Sequence, residues 1–395
     1  MSDINQAALL PTGTSDVLPP SAEFEEQTVA ELMRCFAGHG YDRVKPPLIE
    51  FEDGLLSGDG AAMAMESFRL MDPVSQRMMA VRPDITLQVA RIATTRLRHA
   101  PRPLRLSYAG EVLRVRGAPL RPDRQFTQVG AELIGSEQPA ADAEVIVMAV
   151  RALETAGLTG ISVDLGLPTL VPAMARELEL NDAAVAQLRI FLDRKDAVAI
   201  AAMGDDIGRE AAELFVALVR AAGPARDALA ALESLALPPR AAAERDSLNA
   251  VVADAWEEMS ELSLTIDPVE ARGFEYHTGV TSAFFASGAK GGRGELGRGG
   301  RYLAGDRNGD NEPATGLTLF MDAVLRLVSG QRGPLRVLLA PGTSPDDACN
   351  LRADGWITLR ALDAAAETKD EARRLGCSHV WSNGKIHDLA NARED

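Results

Sequence analysis

The chain has 395 residues, which suggests two or three domains. Hydrophobic residues make up 46% and charged residues 25%, values typical of a globular protein and not of a disordered or collagen-like chain. The formal net charge is −16, and a chain this acidic repels nucleic-acid backbones on average.

Neither the apolar runs nor the cysteines point to export. No apolar run approaches the 18 or so residues that span a bilayer, and the segment MSDINQAALL lacks the basic and apolar regions of a secretory signal. Cys35, Cys349 and Cys377 lie far apart and are odd in number, which fits a reducing compartment better than a disulfide framework or a zinc site. We therefore expect a cytoplasmic protein without membrane contact.

Helices and hairpins alternate in the first part of the predicted chain. The apolar spacing and the turn residues predict a helix from Ser21 to about Gly40 and an edge strand Tyr41–Phe51 that is broken by two prolines. A hairpin of Ser67–Met71 and Arg77–Val81 and a helix from Pro83 to about Arg98 follow. The next predicted elements are the strands Leu104–Val115 and Arg124–Ile134, a helix at about 139–156 and a strand at 161–166.

The rest of the chain changes character twice. Residues 168–262 are rich in Ala, Leu, Glu and Arg at helical spacing and predict a helical insertion. After it we expect a strand at Phe274–Phe285, a glycine-rich loop at 287–301, a strand Thr315–Phe320 with a helix to about Val328, a linker Gly330–Pro334, and a small α/β unit with the strands RVLLAP, WITLRAL and HVWSNGKI.

This order predicts an α+β fold with an antiparallel sheet flanked by helices. We expect one domain over residues 1–330, carrying the helical insertion, and a small α/β unit over 331–395. The glycine run does not follow a strand and open a helix, so a dinucleotide-binding or P-loop interpretation is weak.

Several polar residues fall on predicted strands or at strand ends. Gln128 and Glu132 are four apart on one strand and therefore point to one face. Together the group could bind an amino acid: Asp84 could bind the amine, Arg272 the carboxylate and Glu132 an imidazole N–H. Its members are Asp84, Thr86, Arg114, Gln128, Glu132, Arg272, Tyr276 and His277.

Each of these residues also has an ordinary structural interpretation. Asp84 with Thr86 could cap a helix, Gln128 and Glu132 could line a solvated sheet face, and His277 could be a structural histidine. Composition and spacing alone do not decide between the two interpretations.

Taken together, the segments resemble the histidyl-tRNA synthetase catalytic domain over about residues 9–328. The matching motifs, in chain order, are TGTSDVLPP, GYDRVKPPLIE, RPDIT, GEVLRVR with RQFTQVGAELIG, RGFEYHTG, GRGGRY and ATGLTLFMDAVLRL. The resemblance implies a class II aminoacyl-tRNA synthetase-like fold, with GYDRVKPPLIE as the dimerisation element.

The resemblance also implies roles for single residues. Asp84, Thr86, Gln128, Glu132, Tyr276 and His277 correspond to histidine contacts, and Arg272 to the cation near the substrate carboxylate. Arg114 corresponds to the arginine that meets the α-phosphate. With Arg116 and Arg121 it forms what we expect to be a remnant phosphate or nucleotide site.

The departures from the family fall mainly on the ATP side. Arg116 stands where active synthetases carry a glutamate near the adenine, and Pro122, next to Arg121, replaces a phosphate-contacting arginine. Phe320 and Ala323 stand where motif three has glycine and the arginine that clamps the γ-phosphate. Such losses remove the electrostatics on which the chemistry depends. On the histidine side, His277 replaces a tyrosine and brings a group that can titrate near neutral pH.

This pattern is similar to the ATP phosphoribosyltransferase regulatory subunits, a non-catalytic branch of the synthetase family in histidine biosynthesis. The resemblance implies no catalytic residue, cofactor or metal, a short-form catalytic subunit as partner, L-histidine as feedback effector, and a homodimeric core within a hetero-oligomer. It makes tRNA an improbable partner. The C-terminal unit is then a candidate degenerate anticodon-binding domain. The alternatives are an active histidyl-tRNA synthetase and a synthetase-like enzyme acting on another acceptor.

Overall fold

The computed structural model describes residues 9–55, 63–117, 122–270, 276–287, 293–305, 311–328, 335–362 and 368–389. The chain divides into two compact units, Met1–Ser329 and Gly330–Asp395. Each unit has its own apolar core.

The first unit is built on strands that come from nearly its whole length. In chain order they are β1 (Asp42–Arg43), β2 (Ile49–Phe51), β3 (Arg69–Met71), β4 (Met78–Val81), β5 (Leu104–Leu113), β6 (Gln125–Ile134), β7 (Ser162–Gly166), β8 (Gly223–Pro224), β9 (Ser263–Asp267), β10 (His277–Ser287), β11 (Arg293–Gly305) and β12 (Asn311–Phe320).

Most of these strands form one sheet in the order β1-β5-β6-β12-β11-β10-β7-β9-β8, and β2-β4-β3 form a small second sheet. The run from β5 to β7 is antiparallel throughout, while β1 pairs with β5, and β7 with β9, in parallel. The predicted α+β class with a mainly antiparallel sheet is confirmed.

The helices of the first unit lie between and beside these strands. In chain order they are α1 (Ser21–Gly38), α2 (Glu52–Leu55), α3 (Thr86–Thr95), α4 (Pro139–Thr155), α5 (Leu170–Glu177), α6 (Asp182–Asp193), α7 (Ala197–Ala202), α8 (Gly204–Ile207), α9 (Arg209–Arg220), α10 (Ala225–Glu233), α11 (Pro239–Glu258) and α12 (Met321–Leu327). The stretch that we expected to be a helical insertion holds α5–α11 and only the two-residue strand β8.

Helix α4 is the central helix of the core. It begins with Pro139 in its first turn, where the missing N–H has no intrahelical acceptor to lose. Ile146, Met148 and Leu153 are buried on more than one side, as expected of a helix enclosed by other elements. Helices α1 and α11 pack against α4, which in turn lies on the sheet. Helix α3 packs against β6 and β11.

The strand expected over Tyr41–Phe51 is wrong in one respect, because it forms two strands in two sheets. Strand β1 pairs with β5 in the large sheet, whereas β2 pairs with β4 in the small one. Pro46 and Pro47 lie between them, and neither can donate a ladder hydrogen bond. The chain therefore leaves one sheet at the prolines and enters the other.

The glycine-rich loop expected at 287–301 is also wrong over its described part. Residues Arg293–Gly305 form β11, which pairs with both β10 and β12. A Cβ on Gly297 would lie 2.3 Å from the carbonyl oxygen of Thr318, and one on Gly299 would lie 2.4 Å from that of Gly316. The glycines therefore serve close strand packing in the middle of a sheet. Residues 288–292 lie outside the described residues.

The second unit is a small α/β sandwich. Its elements are β13 (Arg336–Leu339), α13 (Pro345–Ala353), β14 (Ile357–Arg360), α14 (Thr368–Arg374), β15 (His379–Ser382) and β16 (Lys385–Asp388). The sheet order is β14-β13-β15-β16, with β13 parallel to both neighbours. The segment HVWSNGKI forms a hairpin and not the single strand expected. Asn383 and Gly384 turn with φ of 51° and 71°, values that Asn and Gly adopt readily.

Candidate functional site

A cavity of about 270 Å³ lies over β6, β12, β11 and the start of β10. A volume near the lower limit of small-molecule pockets suits a metabolite of amino-acid size. Its lining comes from Met63, Asp84, Thr86, Leu87, Arg114, Glu132, Tyr276, His277, Arg298, Gly299, Gly300, Tyr302, Gly316, Leu317, Thr318 and Phe320.

The carboxylate end of the cavity, defined by Glu132, Tyr108, Tyr302 and Thr318, is a hydrogen-bonded cluster. Tyr302 donates to Glu132 Oε2 at 3.0 Å, and the Tyr108 hydroxyl lies 3.3 Å from Glu132 Oε1. The Tyr108 hydroxyl also meets Thr318 Oγ1 at 2.7 Å. Burial raises the pKa of Glu132 from 4.5 to about 8, although these hydrogen bonds oppose the shift. Glu132 is thus a buried carboxyl that holds its proton at neutral pH.

Glycines in the neighbouring strands make room for this cluster. Gly316 lies directly opposite Glu132, and a Cβ there would come within 1.7 Å of Glu132 Oε2. Gly130 lies opposite Tyr108, and a Cβ there would come within 2.3 Å of the phenol. Because these two positions have no side chain, the Glu132 carboxyl and the Tyr108 ring can lie against the backbone of the neighbouring strands.

Asp84 bonds the backbone at the start of a helix and also faces the cavity. Its Oδ1 accepts a hydrogen bond from the Thr86 backbone N–H at 2.8 Å, at the start of α3. Its Oδ2 accepts from Gln128 Nε2 at 2.8 Å, and Gln128 Oε1 accepts from the Ile85 N–H. Gln128 is fully buried, so it positions Asp84 from below, while Asp84 and Thr86 face the cavity.

Three rings form one side of the cavity. Tyr276 stacks on Tyr302 with centroids 5.2 Å apart and meets His277 edge to face at 5.1 Å. His277 Nδ1 lies 3.2 Å from the Arg301 carbonyl oxygen. Burial lowers the pKa of His277, because the charged imidazolium is poorly solvated there. The ring is therefore neutral at neutral pH.

The arginine end of the cavity, defined by Arg114, Phe126 and Phe320, is differently organised. Arg114 Nε donates to the Pro83 carbonyl oxygen at 3.3 Å and lies 3.7 Å from Glu66 Oε2. Its guanidinium stands over the Phe126 ring, which meets Phe320 edge to face at 6.2 Å. Arg114 is thus already engaged by protein groups.

The other residues that we expected at the site are not part of the described lining of the cavity. Arg116 is exposed and does not line it. Ala323 is buried in α12. Arg121 and Arg272 lie outside the described residues, so the roles expected for them stay predictions.

Sequence reasoning missed part of the site. Tyr108, Tyr302, Thr318 and Arg298 were not selected, although Tyr302 lies within the GRGGRY motif. Strand period alone places Tyr108 on one face of β5, but only the pairing of β5, β6 and β12 brings its hydroxyl to Glu132. The signal that could have found Tyr302 is its position at the end of a quoted motif.

Two absences apply to the described part of the chain. Within those ranges, no three His, Cys, Asp or Glu side chains converge so that they could hold a metal ion. None of the described helices has the length and the apolar character needed to span a bilayer.

The fold and the cavity define a protein of the class II aminoacyl-tRNA synthetase type. A family model described as histidyl-tRNA synthetase matches residues 13–324. A solved histidyl-tRNA synthetase from a Nostoc species superposes with a TM-score of 0.80 at 17% identity, covering 98% of this chain and 96% of that one. At such identity the likeness establishes the fold.

Curated relatives define the branch. The ATP phosphoribosyltransferase regulatory subunit of Rhodospirillum centenum is 53% identical over 382 residues, which cover 97% of this chain and 96% of that protein. That of Gluconobacter oxydans is 44% identical over 389 residues, covering 98% and 99%. The chain belongs to the family of ATP phosphoribosyltransferase regulatory subunits, which confirms the resemblance stated from the motifs.

A solved structure carries the same description. The ATP phosphoribosyltransferase regulatory subunit/histidyl-tRNA synthetase from Bacillus halodurans superposes with a TM-score of 0.78 at 23% identity. The match covers 94% of this chain and 97% of that one. Both compact units of this chain therefore fall within the matched length.

Proposed function

We propose that this chain is a non-catalytic, cytoplasmic regulatory subunit that binds a short-form ATP phosphoribosyltransferase catalytic subunit, enables the first step of histidine biosynthesis and transmits feedback by L-histidine. The observation that carries the proposal is the buried Glu132 carboxyl group, held by two tyrosine hydroxyls at the floor of an amino-acid-sized cavity. The proposal gives this chain no catalytic residue and no cofactor.

The chemistry of the cavity supports an imidazole amino acid as ligand. The Glu132 carboxyl can form a hydrogen bond with a ring nitrogen of the ligand. The uncharged rings of Tyr276 and His277 can pack against the ligand's imidazole. Asp84 and Thr86 at the start of α3 can bind the amine. Hydrogen bonds to a charged partner contribute roughly 1.5–3 kcal/mol each, enough for selective binding of a small ligand.

The arginine end of the cavity argues against adenylate formation. Catalysis of phosphoryl-type chemistry needs cations aimed at the charge that develops in the transition state. Here Arg114 already bonds Pro83 and faces Glu66, and Phe320 fills the position of the motif three glycine. We infer that the amino acid binds without activation, and that tRNA is not a partner.

The small sheet supports a homodimeric core. The segment that resembles the dimerisation element leads into β2, and the sheet β2-β4-β3 exposes Ile49, Phe51, Met71 and Met78. Ile49 and Phe51 lie on one face of this sheet, and Met71 and Met78 on the other. Exposed apolar side chains of this kind are typical of a protein–protein contact. A second copy of the chain is the occupant that the motif implies. The C-terminal unit is, in this proposal, a remnant of an anticodon-binding domain.

Three measurements test the proposal. Histidine-dependent ATP–pyrophosphate exchange, with an active synthetase as positive control, should stay at background. The melting temperature should rise with L-histidine and not with L-alanine. The chain should co-purify with the short-form catalytic subunit, and L-histidine should then inhibit the complex. Exchange above background would return the active synthetase to first place, whereas a complex insensitive to L-histidine would remove the feedback role.

A further inference from the structure

A buried arginine lies in the short segment that joins the small sheet to α3. Strand β4 ends at Val81, α3 begins at Thr86, and Arg82 is the first residue between them. Arg82 is only 6% exposed. An arginine is rarely buried to this degree unless its charge and its donors have partners. Its contacts therefore indicate what this cation does in the fold.

The guanidinium of Arg82 binds oxygens from three separate parts of the first unit. Its Nε donates to the Glu111 carbonyl oxygen on β5 at 2.8 Å, and its Nη1 donates to the Pro46 carbonyl oxygen at 3.0 Å. Nη1 also donates to Gln88 Oε1 on α3 at 3.3 Å. One side chain thus ties together a strand of the large sheet, the connection between β1 and β2, and the first turns of α3.

The connection between β1 and β2 is bound to the start of α3 by further hydrogen bonds. The Arg82 N–H donates to the Leu48 carbonyl oxygen at 3.1 Å. Gln88, which is also buried, donates from Nε2 to the Pro47 carbonyl oxygen at 2.8 Å. Three successive carbonyl oxygens, those of Pro46, Pro47 and Leu48, therefore accept from Arg82 or Gln88, and the two segments are fixed to each other.

A glycine on β5 makes room for the guanidinium. A Cβ on Gly110 would lie 2.4 Å from Arg82 Nη2. Gly110 lies directly opposite Gln128 on β6, and Gln128 Nε2 donates to Asp84 Oδ2 at 2.8 Å. Directly opposed residues share a face of the sheet. The guanidinium therefore lies on the face that carries the Gln128 amide, which orients Asp84.

The hydrogen bonds of the guanidinium go to uncharged oxygens, while carboxylates lie around it. Burial lowers the pKa of Arg82, and the negative charges of Glu111, Glu50 and Asp84 oppose this shift. The side chain remains charged, because a guanidinium does not lose its proton in proteins. A lysine would keep the charge but not the planar fork that reaches several acceptors. Arg82→Lys therefore separates the geometry of the contacts from the charge.

We propose that Arg82 is a positioning residue for the amine end of the histidine pocket, because its contacts hold the start of α3 so that Asp84 and Thr86 face the ligand's amine. Arg82 is not part of the described lining of the cavity, so it acts through these two residues. The inference rests on the proposed histidine pocket and adds to it a residue that sets the selectivity for an amino acid.

Two ligands that differ only in the amine test the proposal. L-Histidine is compared by calorimetry with imidazolepropionate, its analogue without the amine, and the wild type should prefer L-histidine at least about tenfold. Arg82→Lys should reduce this preference at least about fivefold and leave the affinity for imidazolepropionate within about twofold. Arg105→Lys is the matched control, since Arg105 lies on the other face of β5 and donates twice to Glu144. It should keep the preference.

A second variant tests the same contacts without changing Arg82. The Cβ that Gly110→Ala adds, 2.4 Å from Nη2, has to displace the guanidinium, so the preference for L-histidine should again fall at least about fivefold. Gly38→Ala is its matched control, because a Cβ there meets nothing within 4 Å. Melting curves check that each variant folds. A preference that survives in folded Arg82→Lys or Gly110→Ala protein would overturn the proposal.

Hydrogen exchange in the unliganded protein separates this inference from the proposed function. The Thr86 N–H donates to Asp84 Oδ1 at 2.8 Å, so this amide should be protected. Arg82→Lys should speed its exchange at least about tenfold, and Arg105→Lys should not. If the wild type does not prefer L-histidine, the amine contact of the proposed function is wrong, and exchange still decides whether Arg82 holds the segment. An exchange rate that does not respond to Arg82→Lys would overturn the positioning role even if L-histidine binds.

Discussion

The two ends of the cavity that contains Glu132 are organised differently. At the carboxylate end, Tyr108 and Tyr302 converge on Glu132, Thr318 bonds the Tyr108 hydroxyl, and glycines make room for them. At the arginine end, Arg114 bonds backbone and side-chain groups of its own protein. The polar groups of the carboxylate end thus surround a carboxyl that lines the cavity, whereas the arginine of the other end makes structural contacts.

The first prediction concerns the support beneath the carboxylate end and has the largest expected effect. Arg301 donates to Asp142 Oδ2 at 2.5 and 3.0 Å and to the Ser136 and Gln138 carbonyl oxygens, and the exposed fractions of the Arg301 and Asp142 side chains are only 12% and 3%. Arg301→Met should lower the free energy of unfolding by about 3–5 kcal/mol, because it leaves a buried carboxylate unpaired. Urea denaturation measures this change.

A double variant provides the control for that change. Arg301→Met combined with Asp142→Leu removes both charges and should recover much of the lost stability. A loss of less than about 1 kcal/mol in the single variant would mean that the pair behaves like an exposed one and does not support the site.

The second prediction tests the carboxylate end itself. Glu132→Ala should weaken L-histidine binding by about 5- to 150-fold, the equivalent of roughly 1–3 kcal/mol for leaving a buried hydrogen-bonding partner unpaired. Glu132→Gln, which keeps the size and can still accept from a tyrosine, should lose less. Calorimetry measures both, and co-purification with the catalytic subunit should not change. Unaltered histidine affinity in Glu132→Ala would move the pocket elsewhere.

The third prediction uses the pKa of Glu132. Its value of about 8 in the folded protein compares with 4.5 ordinarily, so between these pH values the folded protein retains a proton that the unfolded chain releases. The contribution of Glu132 to stability must therefore fall as the pH rises through this window, by at most about 1.4 kcal/mol per pH unit. Urea titrations of the unliganded protein at several pH values measure the slope.

The matched variant isolates that slope. Glu132→Gln cannot ionise, so the difference in unfolding free energy between it and the wild type should change with pH only inside the window. A difference that stays constant from pH 5 to pH 8 would show that the Glu132 carboxyl ionises freely, as an exposed one does.

The fourth prediction addresses the arginine end and has the smallest expected effect. Arg114→Ala should change histidine affinity by less than about threefold, since the guanidinium is engaged by Pro83, Glu66 and Phe126, and a partly exposed ion pair contributes only about 0–1 kcal/mol. Calorimetry beside Glu132→Ala makes the comparison direct. Equal losses in the two variants would mean that the two ends act as one site.

Much of this protein is determined by its sequence. Apolar periodicity predicts α1, α4 and the strands β5, β6, β7, β10 and β12 of the large sheet, since a helix or strand repeats its buried face at a fixed local spacing. The order of motifs indicates the family, and the residues at Arg116, Phe320 and Ala323 mark the side of the site that departs from it. All of these are properties of single positions or of short segments.

The tertiary structure alone decides what depends on register. Whether residues 293–305 form a loop or a central strand depends on their pairing with β10 and β12, and local glycine content suggests the wrong answer. The same holds for the hydroxyls around Glu132 and for Gly316, which lies opposite it. Register is fixed by side-chain packing across strands, so a shift of one residue would turn every one of these groups to the opposite face.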